Sequence, residues 1–418
     1  MRFALASILL SLALGTSAHP GEEHHHDDHA ALAKRTFLEH SGRSYSTCSN
    51  SARKRDLSAQ IATRRAREID DLRSALKAKK SALFKSQSHS KRQSSCRRQT
   101  DSGSAGGGGG SSSLTDYGEA LVNTSHASNL TTITANITSA ELFNSTDGET
   151  SACLLQPEVT IGPYWVSGEY VRSNVTEDQQ GVPLYLSTQV IDVATCEPVP
   201  ELYWEIWHCN ATGVYSGVVS SGNGDSSDES NLNNTFLRGL VETDDLGVAT
   251  FETIFPGHYT GRATHIHVVG HANATLYSNG TIGTGASGSG NSSAIHIGQL
   301  FFDQDLITEV EATSPYSTNT QDITENASDS IFAEEAIEGA SDPLVEYVLL
   351  GDSIEDGVYA WVTVGVTTNE TMTTSAAAYL TPDGGVENTE SSLGGGGGMG
   401  GNSTSGGDGS APSGSPPS

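Results

Sequence analysis

Lysine is missing from the chain after residue 100, and arginine there is reduced to Arg172, Arg238 and Arg262. That stretch nonetheless carries 41 of the 50 acidic residues, whereas the first 100 residues hold 19 of the 22 Lys and Arg. The 418-residue chain, with a net charge of −28, therefore joins a basic segment to a strongly acidic one. Such an acidic balance excludes nucleic-acid binding through a basic face. Only 35% of residues are hydrophobic and 46 are glycine, so much of the chain cannot belong to a packed core. The five cysteines, Cys48, Cys96, Cys153, Cys196 and Cys209, include no Cys-x-x-Cys spacing, which leaves no sign of a thiolate metal site or a redox pair. No apolar run reaches the roughly 20 residues that a membrane-spanning helix needs.

What is present reads first as an exported protein. Arg2, the apolar run Phe3 to Leu14 and the small residues Thr16-Ser17-Ala18 make residues 1–18 a secretory signal peptide. Thirteen Asn-x-Ser/Thr sequons agree, among them Asn174, Asn210, Asn279, Asn326 and Asn369, and a secreted, extracellular glycoprotein is expected. Disulfides are expected in that compartment, with Cys48 paired to Cys96, Cys196 to Cys209 and Cys153 left over. Residues 19–35 form a His-rich pro-segment (His24-His25-His26-Asp27-Asp28-His29) whose closing Lys34-Arg35 marks it for removal.

Residues 36–100 form a basic helical segment. Leu57, Ile61, Ile69, Leu72, Leu76 and Leu83 recur at helical spacing over 50–92, which predicts one long amphipathic helix or a helical hairpin. Its apolar stripe is expected to dock on the domain or on a second subunit, so a homodimer through this segment is one outcome. Dibasic pairs inside it are further candidate processing sites. Residues 101–150 read as a Gly/Ser/Thr-rich glycosylated linker, and 371–418 as a disordered low-complexity tail with no apolar stretch for a membrane anchor. Between them, 151–370 is β throughout. Leu184 to Val193 alternates, and Leu202 to Cys209, Gly247 to Phe255, Thr264 to Val269, Ile297 to Phe302 and Val358 to Val366 are rich in β-branched and aromatic residues. The pattern predicts a mainly β protein with a β-sandwich core.

The chemistry concentrates in Pro256-Gly257-His258-Tyr259-Thr260-Gly261-Arg262-Ala263-Thr264-His265-Ile266-His267. On a strand, His265 and His267 point to one face and can offer two imidazoles to one ion, while Ile266 faces the packed side. Tyr259 lies in the turn before that strand and Tyr215 lies just past a strand end. Two phenolates with two imidazoles make a hard, anionic N/O set that prefers a trivalent ion such as Fe(III) over Zn(II). A cupin-type site is disfavoured, because Val268 to Thr275 contains no acidic ligand.

Five motifs occur in order: Gly162-Pro163-Tyr164-Trp165, Trp207-His208-x-Asn210-x-x-Gly213-x-Tyr215, Pro256-Gly257-x-Tyr259, Arg262-x-x-His265-Ile266-His267 and Gln299-Leu300-Phe301-Phe302. Across about 153–305 the chain resembles the intradiol ring-cleavage dioxygenases, which include the catechol 1,2-, hydroxyquinol and protocatechuate 3,4-dioxygenases, and within them the secreted fungal members. The resemblance implies a mononuclear non-haem Fe(III) held by Tyr215, Tyr259, His265 and His267. It also implies that Tyr259 leaves the metal to act as a base when a catechol binds as a dianion. Arg262 would stabilise charge developing on the ring as O2 attacks, Gln299 would lie near the reacting substrate, and a muconate-type diacid would leave. Tyr164 and Trp165 are candidates for the cavity wall or for the core. His208 and His258 read as supports, and His271 and His296 as exposed residues beside loops.

The chain departs from the bacterial catechol enzymes in leaving only five residues between Tyr259 and His265. The helical segment matches their N-terminal helical region in position but not in motif. The competing function is a catalytically inactive secreted β-sandwich module that binds phenolics or carbohydrate. Scarce cations also make a carboxylated substrate less favoured than a neutral catechol.

Overall fold

A computed structural model describes residues 52–87, 114–128, 152–153, 159–283, 293–338, 341–369, 371–372 and 374–389. The expected signal peptide, the His-rich segment, Cys48, Cys96, the glycine run at 106–110 and everything from 390 onward lie outside the described residues. In chain order the elements are α1 (Ala52–Gln87), α2 (Asp116–Val122), β1 (Ala152–Cys153), β2 (Val166–Ser167), β3 (Pro183–Asp192), β4 (Tyr203–Trp207), β5 (Arg238–Glu242) and β6 (Val248–Ile254). They continue with β7 (His265–Ala272), β8 (Thr275–Leu276), β9 (Ile282–Gly283), β10 (Ser293–Phe301), α3 (Gln304–Glu311), α4 (Ser330–Glu335), β11 (Glu346–Leu349), β12 (Val358–Val366), β13 (Ala378–Thr381) and β14 (Gly384–Glu387).

Two sheets form the sandwich. In the first, β12 runs parallel to β3 along its whole length, β3 pairs antiparallel with β6, and β1 and β11 share the other edge of β12. The second has the order β10-β7-β4-β5, antiparallel throughout. Leu184, Leu186 and Phe251 from the first sheet meet Trp204, Ile206, Ile266, Val268 and Leu300 from the second in one buried core. Each such side chain contributes roughly 1.5–3 kcal/mol by leaving water.

Strand β12 is buried at all nine positions, which a half-exposed strand would not be. The period of two explains this. Val358, Ala360, Val362, Val364 and Val366 face the sandwich core, while Tyr359 and Trp361 face the opposite way and are covered by α1. Helix α1 is one continuous helix rather than a hairpin. Ala62, Ala66 and Ile69 seat it on Tyr359 and Trp361, and Leu57 and Ile61 extend the contact to Ile191 and Val248. Ion pairs from Arg64 to Asp244 and from Lys80 to Asp356 tie the basic helix to the acidic domain. The stripe expected to serve the domain or a second subunit is thus spent on the chain's own sheet.

The ordered fold runs past the expected 151–370 at both ends. Helices α1 and α2 dock ahead of it, and β13 and β14 continue the structure to Glu387, with β13 pairing with β2. Strands β5 and β11 also lie outside the runs picked by composition. The expected cysteine pairing is corrected as well. Cys209 is a free buried thiol that donates to the Gly257 carbonyl, so Cys196, which is disulfide-bonded, has another partner. That partner lies among residues whose side chains are not described. No helix among the described residues is long and apolar enough to cross a membrane.

The segment after α2 is fastened by His126, whose Nδ1 lies 2.6 Å from Asp303 and whose Nε2 lies 3.2 Å from Asp342. Burial acts to lower its pKa, but the two carboxylates more than reverse this and raise it to about 10. Because the folded value exceeds the unfolded one of about 6.5, the stabilisation is complete below about pH 6.5 and is lost as pH rises through 10. His126→Gln should cost about 3 kcal/mol of unfolding free energy at about pH 6. The gap from the wild type should shrink when both are measured by urea unfolding at about pH 10.5; an unchanged gap would remove the charge from the account.

Candidate active site

The site lies on the face of the second sheet that turns away from the sandwich core. On β7, Ile266 and Val268 go inward to the core, so His265 and His267 go outward. In register, Trp207 of β4 and Gln299 of β10 lie directly opposite His267 on its two sides. The Trp207 ring stacks on the His267 imidazole at 4.6 Å and 6° between planes, which fixes that ring's orientation.

The two tyrosines arrive on loops that touch each other backbone to backbone. Gly213, at φ 83°, and Gly257 are required there, since a Cβ would sit 2.2 Å from the His258 carbonyl oxygen at the first and 2.4 Å from the Asn210 carbonyl oxygen at the second. Asn210 shapes the first loop by accepting from the amides of Thr212 and Val214. Asn223 then clamps Tyr215, accepting from its amide at 2.7 Å and donating to its carbonyl at 2.9 Å, and Asn231 donates to the same carbonyl at 2.8 Å.

Four donor atoms converge. The Tyr215 and Tyr259 hydroxyl oxygens each lie 3.4 Å from His265 Nε2, and His267 Nε2 lies 3.1 Å from it. All four residues are buried. His265 Nδ1 donates to the Ala263 carbonyl at 2.6 Å, which leaves Nε2 as the lone-pair nitrogen facing the cluster. Burial, reinforced by Arg262, lowers the His265 pKa to about 3 and keeps the imidazole neutral. Burial pushes both phenols well above their ordinary value, so they ionise here only against a cation. Among the described residues no group of three or more His, Cys, Asp or Glu converges, so the set is two imidazoles with two phenols. Facing nitrogen and oxygen donors in a dry pocket fit a small, highly charged cation.

Beside them, Arg262 donates to Asp329 at 2.8 Å and to the Gln299 side-chain carbonyl. Burial acts to lower its pKa, and Asp329 lifts it above the ordinary value, so the guanidinium is a permanent charge. Asp329 also accepts from the Ala263 amide and caps α4 through Ile331 and Phe332. Glu335 of α4 accepts from the Gln299 amide at 3.1 Å. With its carbonyl held by Arg262, Gln299 presents a buried Nε2 with no partner among the described residues, a donor available to a bound group.

The remaining candidates divide. Tyr164 stacks on Tyr215 at 4.7 Å and meets Tyr259 edge-on at 6.2 Å, so it forms a wall of the site. Trp165 points elsewhere and donates to Glu205 at 3.0 Å. His208 bonds the Cys209 carbonyl and Thr253, and His258 bonds Glu311 and the Gln321 carbonyl, so both are supports. His271 and His296 are not exposed as expected. They lie within β7 and β10, where His271 bonds Glu205 at 2.6 Å and His296 stacks on Trp204 at 5.9 Å.

Sequence reasoning missed Arg238, Asn223, Asn231, Asp329 and Glu335. Arg238 is fully buried and donates to the Tyr164 and Ser216 carbonyls, both at 2.6 Å, joining the segments that carry Tyr164 and Tyr215. Its isolation as one of three cations after residue 100 was the available signal. For Asp329, the signal was its place as helix cap in Asp329-Ser330-Ile331-Phe332.

Residues 162–334 match the model of a family described as Dioxygenase. An intradiol ring-cleavage dioxygenase from Tetranychus urticae is 30% identical over 53% of this chain and 98% of its own, with a TM-score of 0.42. The dioxygenase domain of a dioxygenase–carbohydrate-binding protein fusion from Streptomyces sp. SirexAA-E is 22% identical over 52% of this chain and 100% of its own (TM-score 0.30). Catechol 1,2-dioxygenase from Acinetobacter sp. ADP1 is 19% identical over 51% and 65% (TM-score 0.30). No curated protein sequence matches. On the family match and the 30% identity across nearly all of the Tetranychus urticae protein, the chain belongs to the intradiol ring-cleavage dioxygenase family.

Asp329→Ala would leave the Arg262 guanidinium buried without its carboxylate and α4 without its cap. Loss of about 3–5 kcal/mol is expected by urea unfolding; a loss under about 1 kcal/mol would show that the pair is not a structural hub.

Proposed function

We propose that the protein is a secreted non-haem Fe(III) intradiol dioxygenase, which cleaves catechol-type rings between the two hydroxyls with O2 to give muconate-type diacids. The convergence of two imidazole Nε2 atoms and two phenol oxygens in one buried cluster is the observation that carries this reading. Tyr215, Tyr259, His265 and His267 would hold the iron. When bound, Fe(III) supplies Lewis acidity that binds the diol as its dianion and makes the ring reactive toward O2.

The chain's own residues supply the rest. Tyr259, on the loop after β6, is placed to take a hydroxyl proton at its phenolate oxygen. Arg262, aimed by Asp329, holds positive charge where negative charge develops on the ring. Gln299 Nε2 offers a donor to the reacting group, and Tyr164 closes one wall against water. The guanidiniums near the site already have carboxylates, Arg262 in Asp329 and Arg238 in the buried Glu169 3.8 Å away, which favours a diol without a carboxylate. Secretion is supported by the leader sequence and by exposed sequon asparagines such as Asn174, Asn273 and Asn369.

The test is metal content and visible spectrum of the secreted protein, before and after catechol under nitrogen. About one iron per chain and a charge-transfer band that moves with catechol are expected, followed by O2 uptake and a muconate-type product. A protein that stays metal-free and colourless after reconstitution with iron would sink the proposal and favour an inactive binding module. Tyr215→Phe and His265→Ala should each lose iron and colour, and catechol should turn over faster than protocatechuate.

A further inference from the structure

We propose that Asn279 carries an N-linked glycan whose first sugar packs on the ring of Tyr277, covering an apolar cleft that is open among the described residues. The cleft has a volume of about 570 Å³ and lies among Tyr277, Asn279, Thr281, Tyr379, Leu380 and Val386. Among the described residues no charged side chain lines it, on a chain whose net charge is −28. Tyr277 and Val386 are 37% and 50% exposed, and two neighbouring apolar side chains, Leu276 and Tyr170, are exposed as well. An uncharged apolar surface of this kind calls for an occupant that is neutral and presents C–H faces. A sugar ring satisfies both conditions, and the cleft wall itself contains a sequon.

The turn between β8 and β9 sets the geometry. Gly280 donates to the Tyr277 carbonyl at 3.0 Å, Tyr277 donates to the Thr281 carbonyl at 2.8 Å, and Gly280 sits at φ 82°. This is a hairpin turn closed by a glycine bulge, and it brings Tyr277, Asn279 and Thr281 to the same cleft. A Cβ on Gly280 would meet nothing within 4 Å, so the glycine answers to backbone conformation alone and the turn is uncrowded. The Asn279 side-chain carbonyl accepts from the Thr281 hydroxyl at 2.9 Å and from its amide at 3.2 Å. Its Nδ2, the atom that takes the sugar, donates to no group among the described residues.

Two other sequons among the described residues lack this arrangement. Asn326 is fully buried and its Nδ2 donates to the Phe302 carbonyl at 2.7 Å, while the Nδ2 of Asn210 donates to Gln179 at 3.1 Å. In the attachment itself, Asn279 Nδ2 bonds to the anomeric carbon of a lipid-pyrophosphate-linked oligosaccharide. The sugar–phosphate bond breaks, and the lipid pyrophosphate leaves together with one amide proton. The sugar's apolar face then lies against the Tyr277 ring, which removes aromatic surface from water without a new polypeptide contact. The inference rests on the proposed export, but not on the proposed chemistry of the iron site.

The experiment secretes the full chain from a eukaryotic host, maps sugars by glycopeptide mass spectrometry, and measures melting of Asn279→Gln, Tyr277→Ala and the double variant. Sugar is expected at Asn279 and not at Asn326. Asn279→Gln should lower the melting temperature by about 2–4 °C, and the loss should shrink in the Tyr277→Ala background to what the Thr281 hydrogen bonds supply. In the same chain made without glycosylation, Asn279→Gln should cost less, only what the two hydrogen bonds from Thr281 supply to the turn. An unmodified Asn279 beside modified Asn174 or Asn369 would overturn the proposal, as would a loss of equal size with and without Tyr277 or with and without sugar. Absence of sugar from every sequon would overturn it together with export.

Discussion

Strand β7 meets two opposed demands, and the two-residue period of a β-strand lets it meet both. Ile266 and Val268 must be apolar because they close the sandwich; His265 and His267 must be donors because they face the site. The neighbouring strands inherit these constraints through register. Trp207 braces His267 from one side and Gln299 stands beside it on the other, each placed by backbone pairing rather than by its own side chain. A slip of one residue would bury two imidazoles in the sandwich and expose two aliphatics to the site. The packed core beneath is therefore what holds the geometry above it.

The second constraint is charge. An acidic domain with three arginines after residue 100 buries two of them completely, at a cost in desolvation that only close partners offset. Arg262 is held by Asp329 and Gln299, Arg238 by the carbonyls of Tyr164 and Ser216. Each cation does two things with its position. Arg262 joins the loop before β7 to the cap of α4, and Arg238 joins the segments bearing the stacked rings of Tyr164 and Tyr215.

How far the sequence could be read follows from the range of the interactions involved. The β-sandwich, the long helix and the cluster of Tyr215, Tyr259, His265 and His267 were legible, because alternation, helical spacing and the ordered motifs are local signals. Asp329 and Glu335 were not, since they lie 67 and 36 residues from the groups they hold and look like any acidic residues in an acidic chain. His271 and His296 were misread as exposed because adjacent Gly- and Asn-rich loops outweighed the strand pattern around them. The pairing of Cys196 with Cys209 was wrong for a related reason: it followed closeness in sequence, whereas Cys209 turns inward to the Gly257 carbonyl.

Strand β12 has a further consequence. It runs through the middle of the first sheet and is buried on one face by the sandwich and on the other by α1. Strand β12 and α1 both lie outside residues 162–334, the stretch that the family model matches. The stretch that the family model matches is therefore smaller than the packed body it belongs to. A truncation drawn around the shared motifs would remove the central strand of one sheet and uncover the surface where Tyr359 and Trp361 meet the helix. The packed body reaches from α1 to at least Val366, so the basic helix is built into the fold rather than standing apart from it.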